Sequence, residues 1–187
     1  PGPSSDRLSP RVSETAKRLW ATYVLFTVAV MVMFLAIPGP SLYDAIAHGF
    51  TTASTGGFSP HPGSIGHFDS VVLEIGVVVC MVMGGANFAL HWRALRGDGG
   101  SYMRDPEFRT YVLMLAGCAA VVIGLLWIDG GIPLGTAVRG AIFNVVALGT
   151  STGYAAATGS GSPGDYVTWL PAAQMVLLFL MIVGASS

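Results

Sequence analysis

The sequence predicts an all-α integral membrane fold of two tandem helix–re-entrant loop–helix repeats, and three observations predict it. Apolar residues make up 52% of the 187 and charged residues 10%, against roughly a quarter charged in an average soluble domain, and the mean hydropathy is +0.64. Four charge-poor runs, Leu19–Ile37, Val71–Leu90, Thr110–Ile128 and Tyr166–Gly184, are near the roughly 20 helical residues that cross about 30 Å of hydrocarbon, and Glu74 is the only charged residue in any of them. Thr55-Gly56-Gly57-Phe58 and Ser151-Thr152-Gly153-Tyr154 occupy matching places in the two halves, each after an apolar segment too short to cross. A large soluble domain with buried helices is excluded, because too few polar residues remain to coat it.

Residues 1–16 are polar and without periodicity and read as a tail or linker; residues 17–95 form the first repeat, 96–109 a hinge and 110–187 the second repeat, cut short at its end. Pro1 is not a native start, so the chain is expected to be a piece of a longer protein. Arg7, Arg11, Lys17 and Arg18 precede the first span, and Arg93, Arg96, Arg104 and Arg109 fall between the second and third. The positive-inside rule makes that side cytoplasmic, the plasma (bacterial inner) membrane being the expected site. The tips at Ser59–Phe68 and Thr158–Asp165 then face outward. Pro38-Gly39-Pro40 stops the first span. Ser41, with Asp44 three residues on, starts a half-helix to Thr52, about 18 Å long. The second half-helix follows Pro133 and runs to about Leu148.

Adding 96 maps Ala45-Ile46 onto Ala141-Ile142, Thr55 onto Ser151, Gly57 onto Gly153 and Phe58 onto Tyr154; beyond the loops the offset becomes 100, with Gly84 onto Gly184. Span, half-span, Thr/Gly-rich loop, span is the layout of a pore loop, in which carbonyl oxygens replace the hydration shell of a cation. The half-helix C-termini direct partial negative charge at the membrane centre. Glycine allows successive carbonyls to turn toward one axis, and irregular backbone at this depth survives only where protein buries it or a water-filled cavity solvates it. The ion-binding residues are therefore Thr55, Gly56, Gly57, Phe58, Ser151, Thr152, Gly153 and Tyr154, with the Thr55 and Ser151 hydroxyls at the inner ends and the Phe58 and Tyr154 rings packed behind the loops.

The remaining polar residues take plainer roles. His48, His61 and His67 lack the spacing of a metal site. Glu74 reads as a solvated charge at the membrane rim, Asn87 and Gln174 as interhelical hydrogen-bonding residues, and Arg139 as a loop anchor bound to carbonyls or to an acid such as Asp129. Cys80 and Cys118 lie within spans and read as packing residues rather than a disulfide. No nucleophile–base constellation, phosphate loop or basic nucleic-acid patch is present, so neither an enzyme nor a nucleic-acid partner is expected.

His48-Gly49-Phe50-Thr51-Thr52-Ala53-Ser54-Thr55-Gly56-Gly57-Phe58-Ser59 resembles the second pore loop of the TrkH/KtrB-type potassium transporters of the Trk/Ktr/HKT superfamily. Val82-Met83-Gly84-Gly85-Ala86-Asn87-Phe88-Ala89-Leu90 is similar to the end of the helix that follows it, and Ala147-Leu148-Gly149-Thr150-Ser151-Thr152-Gly153-Tyr154 to the third pore loop, with Trp169 and Pro171 opening the next helix. The resemblance covers nearly all the chain after residue 17. It implies repeats two and three of a four-repeat, K+-channel-like pore, with K+ transported, no cofactor, a homodimer of the full-length protein in membrane lipid, and a cytoplasmic nucleotide-binding regulatory subunit. It also implies that Gly57 and Gly153 are filter glycines leaning toward potassium over sodium. A gating loop would begin at Gly184-Ala185-Ser186-Ser187.

Three classes of function fit the residues. A potassium-uptake pore leads, including a two-repeat subunit that dimerises. A secondary transporter with discontinuous helices also binds ions at mid-membrane, but commonly by inverted repeats, whereas these run parallel. A silent membrane anchor accounts for the spans and leaves the repeated loops without a reason.

Overall fold

The computed structural model describes residues 9–156, 162 and 164–184. The start of the expected tail, most of the Thr158–Asp165 tip and the Ala185-Ser186-Ser187 end lie outside the described residues. Every regular element among them is helical. The first repeat comprises α1 (Ser9–Ala36), the half-helix α2 (Leu42–Ala53), a 3₁₀ turn at Ser64–Phe68, α3 (Val71–Gly84) and α4 (Phe88–Leu95). After the short α5 (Ser101–Arg104), the second comprises α6 (Pro106–Gly124), the half-helix α7 (Leu134–Gly149), a 3₁₀ turn at Tyr166–Thr168 and α8 (Pro171–Gly184).

Local chemistry sets these boundaries. Residues 9–16 do not form an irregular tail but open α1. There Arg18 pairs with Glu14 one turn back at 3.3 Å, the i,i+4 arrangement that supports a polar helical end. Ser41 caps α2 as expected. Its Oγ donates to Asp44 Oδ2 at 2.7 Å and accepts the Asp44 N–H, while the Ser41 N–H donates back to Oδ2 at 2.8 Å. The hinge is tighter than its glycines suggested: Asp105 accepts the Phe108 N–H at 3.0 Å and Pro106 stands in the first turn, so α6 begins inside it.

Two expected spans differ. The Val71–Leu90 run is not one helix: α3 ends at Gly84, and α4 leaves it at 104°. Two glycines lower helix stability at the break, and Asn87 Oδ1 accepts the Ala89 N–H at 3.0 Å, starting a new helix rather than bonding between helices. Within the Tyr166–Gly184 run the α-helix starts only at Pro171, after the 3₁₀ turn, and the Gln174 amide holds the carbonyls of Tyr166 and Val167 at 3.2 and 2.7 Å. Gln174 thus braces its own approach segment instead of a second helix. Among the described residues two helices, Val12–Ala36 and Pro106–Asp129, are long and apolar enough to cross a membrane, and the bent α3–α4 pair makes a third if taken as one span. The second of these continues α6 through a wider-turned segment, Leu125–Asp129.

Packing follows the repeat. One core joins Val30 and Phe34 of α1, Ala45 of α2 and Leu73, Val77 and Met81 of α3 to Phe143, Val146 and Tyr154 from the second repeat. The other lies within the second repeat, around Leu115, Val122, Ala141, Leu148, Ala173 and Leu180. The α3–α7 contact holds the halves together. Val24, Leu25, Val28, Val32 and Leu35 of α1 and Leu178, Phe179 and Ile182 of α8 remain exposed, an apolar exterior of the kind that suits lipid or neighbouring membrane helices. Cys80 and Cys118 are free and half-buried.

Candidate functional site

The two half-helices end in matching fashion. At the end of α2 the Thr55 N–H donates to the Thr52 carbonyl at 3.1 Å and the Gly56 N–H to the Thr51 carbonyl at 2.7 Å, a helix stop of the Schellman type. At the end of α7 the Ser151 N–H donates to Leu148 at 3.1 Å as in the first loop, but the second bond comes one residue later, from the Gly153 N–H to Ala147 at 2.8 Å. This stop places its hinge residue in the left-handed region, usually occupied by glycine. Here Thr55 and Ser151 take it, with φ of 49° and 58°. Two residues on, Gly57 and Gly153 are left-handed again, at 65° and 78°. Left-handed backbone in a residue with a Cβ costs roughly 1–2 kcal/mol, so holding it at equivalent places in both loops marks a constrained site rather than a casual turn.

The loops touch backbone to backbone. A Cβ on Gly57 would overlap the carbonyl of Thr152, whereas one on Gly153 would meet nothing within 4 Å. Thr55 and Ser151 line one cavity of about 490 Å³ together with Gly84, Gly85, Asn87, Phe88, Glu107, Thr150 and Gly184. Glycine at 84 and 184 lets the following helices come close: a Cβ there would stand 3.2 Å from the Thr52 carbonyl oxygen and 2.6 Å from that of Gly149. Neither α2 nor α7 carries a basic residue in its last turn to offset the partial negative charge of its end.

The aromatic pair behaves asymmetrically. Tyr154 is buried, and its hydroxyl sits 2.6 Å from Thr51 Oγ1 and 2.8 Å from Thr52 Oγ1 on α2. Phe58 does not pack behind its loop; it is 77% exposed among the described residues. Its carbonyl accepts from Thr51 Oγ1 at 2.9 Å. Of the other loop residues, Thr152 is buried with its hydroxyl 2.8 Å from that of Thr150, and Gly56 and Gly153 are exposed.

Two supports were misread or missed in the sequence. Glu74 is buried, and Arg139 grips it with both Nε and Nη2 at 2.7 and 2.8 Å, with Asp69 3.7 Å away. Arg139 therefore pairs with Glu74 and Asp69, not Asp129, and Glu74 is an inter-repeat anchor rather than a solvated rim charge. The signal was available: the one charge inside a span and the one arginine away from the basic side have opposite signs. His48 is fully buried, stacked on Phe34. Its Nδ1–H donates to the Asp44 carbonyl at 2.8 Å, leaving Nε2 to accept from Ser59 Oγ at 3.0 Å in the neutral ring. His61 Nε2 meets Asp44 Oδ1 at 2.7 Å and stacks on His67. These histidines tie the exit of the first loop back to its own half-helix.

Residues 4–187 match the family TrkH, described as cation transport protein. The chain belongs to the TrkH family. It is 36% identical to the Trk system potassium uptake protein TrkH of Halomonas elongata, over all of this chain and 38% of that protein. To the protein of the same description from Escherichia coli K12 it is 37% identical, over 82% of this chain and 32% of the relative. The crystal structure of the potassium transporter TrkH from Vibrio parahaemolyticus superposes with a TM-score of 0.80 at 32% identity, over 91% of this chain and 36% of that one. The chain thus spans less than two fifths of the length of these relatives. The TrkH family is one of transporters rather than enzymes.

Proposed function

We infer that this chain forms part of a potassium-uptake pore, in which the carbonyls of Thr55–Phe58 and Ser151–Tyr154 line the ion pathway. One observation carries the reading: two loops with left-handed residues at equivalent positions meet at Gly57 and Thr152 above a shared cavity entered by Thr55 and Ser151. Carbonyls arranged about one axis stand in for the water that a potassium ion loses. The half-helix ends add negative potential that no basic residue in their last turns offsets. Family membership supports K+ as cargo, with no cofactor required. The rest of the pore, a homodimer and a cytoplasmic nucleotide-binding subunit belong to the full-length protein in this reading, as does the inner membrane as its location. The repeats divide at the hinge of residues 96–109.

The test is ion flux through the full-length protein in proteoliposomes. Rubidium and potassium flux well above sodium flux is expected, and equal flux of potassium and sodium would remove the filter reading. The basic side is cytoplasmic in the same reading. Cysteines placed at Gly63 and at Gly99 are accordingly expected to react with impermeant reagents from opposite sides, Gly63 from outside. Labelling of both from one side would overturn the topology. A second outer probe, at Ser160, lies outside the described residues.

A further inference from the structure

We propose that Tyr154 is a positioning residue that links the two loops through a one-way chain of hydrogen bonds, and that its hydroxyl, not its ring alone, sets ion selectivity. The inference rests on the carbonyl-lined reading of the loops and goes beyond it by assigning a role to groups that touch no ion.

Proton accounting fixes the direction of the chain. A threonine or tyrosine hydroxyl has one hydrogen to donate. Thr51 Oγ1 gives its hydrogen to the Phe58 carbonyl at 2.9 Å, so toward Tyr154, 2.6 Å away, it can only accept. Tyr154 therefore donates to Thr51 and must accept from Thr52 Oγ1 at 2.8 Å. The order is Thr52 to Tyr154 to Thr51 to the carbonyl of Phe58. A weaker alternative acceptor, the His48 carbonyl, is 3.4 Å from the Tyr154 hydroxyl. Thr52 and Tyr154 are buried, and hydrogen bonds in series polarise one another in such a setting.

The chain joins the last residue of one loop to the last residue of the other, through contacts of Tyr154 with two threonines more than a hundred positions earlier in the sequence. The Tyr154 nitrogen is bonded to the Gly153 carbonyl carbon in one planar peptide unit, so anchoring the Tyr154 side chain on α2 restrains that carbonyl too. At the far end Phe58 is held through its own carbonyl, although its ring is exposed. Without the chain both carbonyls keep their places only by packing, and an opening sized for potassium can contract around a smaller ion. The first loop has no equivalent tether, because Phe58 carries no hydroxyl.

The experiment compares Tyr154→Phe, Thr51→Val and Thr51→Ser in the full-length protein, with inserted protein quantified and Gly57→Ser as a control on the filter reading. Tyr154→Phe keeps the ring and its packing. It is expected to lower the potassium-over-sodium preference about three- to tenfold, the effect of one lost hydrogen bond. Thr51→Val should do the same, Thr51→Ser should restore the original preference, and the pair Tyr154→Phe with Thr51→Val should be no worse than either alone. Unchanged preference in Tyr154→Phe overturns the proposal. If Gly57→Ser then still alters preference, the filter reading survives; if it does not, that reading falls as well. A fall in flux with unchanged preference makes Tyr154 a merely structural residue and also overturns the proposal.

Discussion

Gly57→Ser is expected to reduce the potassium-over-sodium preference of the full-length protein by about tenfold or more, a change of at least about 1.4 kcal/mol between the two ions. Two independent effects act at this position. The backbone is left-handed, at φ of 65°, which costs a residue with a Cβ roughly 1–2 kcal/mol. The added carbon would also overlap the Thr152 carbonyl, which is main chain and cannot swing aside as a side-chain tip would. Relief requires the loops to part, and parting moves the carbonyls proposed to face the ion. Gly49 offers the contrast: a Cβ there presses on the Met31 side chain, with the Thr27 carbonyl at 3.4 Å, so the strain falls on α1 rather than between the loops and Gly49→Ala should leave preference near the original. Relative permeabilities from reconstituted protein check both, and an unchanged ratio in Gly57→Ser would falsify the proposed role of the first loop.

Arg139→Met is expected to destabilise the protein by about 3 kcal/mol, and more than Glu74→Gln does. Removing one partner of a buried pair leaves the other charged group without compensation, typically costing about 3–5 kcal/mol. The two ends differ in exposure: the Glu74 side chain is 4% exposed and that of Arg139 is 41%. An abandoned glutamate would sit in the protein, whereas an abandoned arginine can reach outward and keeps Asp69 nearby at 3.7 Å. Because the pair bridges α3 and α7, its loss should loosen one repeat against the other. Thermal unfolding of the purified full-length protein would show it, with Arg139→Met melting below Glu74→Gln. The reverse order would mean that the pair is not buried in the assembled protein.

The architecture was legible wherever a local rule dictated it. Pro38-Gly39-Pro40, the Ser41–Asp44 capping box and Pro133 each stop or start a helix by covalent geometry or an adjacent hydrogen bond, and the half-helices lie within a residue of their predicted ends. The repeat was legible because equivalent loops need equivalent residue types. The break at 85–87 was not, since Gly84 and Gly85 are tolerated in membrane helices and hydropathy ignores direction. The partners of Arg139 and the placement of Phe58 were hidden for a different reason. Both depend on which elements become neighbours in space, and Glu74 lies far from Arg139 in sequence. Tyr154 shows the two levels together: burial was expected of it, but the Thr51 and Thr52 hydroxyls that receive it lie in the other repeat.

The contact between the loops has a front and a back. Gly57 presents the face that meets its neighbour, and Thr152 presents the face that is met. Interfaces of this head-to-tail kind are not self-complementary, so they propagate by rotation and end only when the circle closes. In the proposed pore each additional loop would join in one orientation alone, its own Thr152-like carbonyl against Gly153 or its own glycine against Gly56, the counterpart of Thr152. The clockwise or anticlockwise order of segments around the axis is thereby written into the main chain, with no side chain needed to enforce it. Sensitivity to substitution at Gly153 then becomes a count of neighbours. Both glycines carry the same left-handed strain, so a Gly153→Ser variant as impaired as Gly57→Ser locates a further loop against that open edge, and one clearly less impaired marks the edge as free.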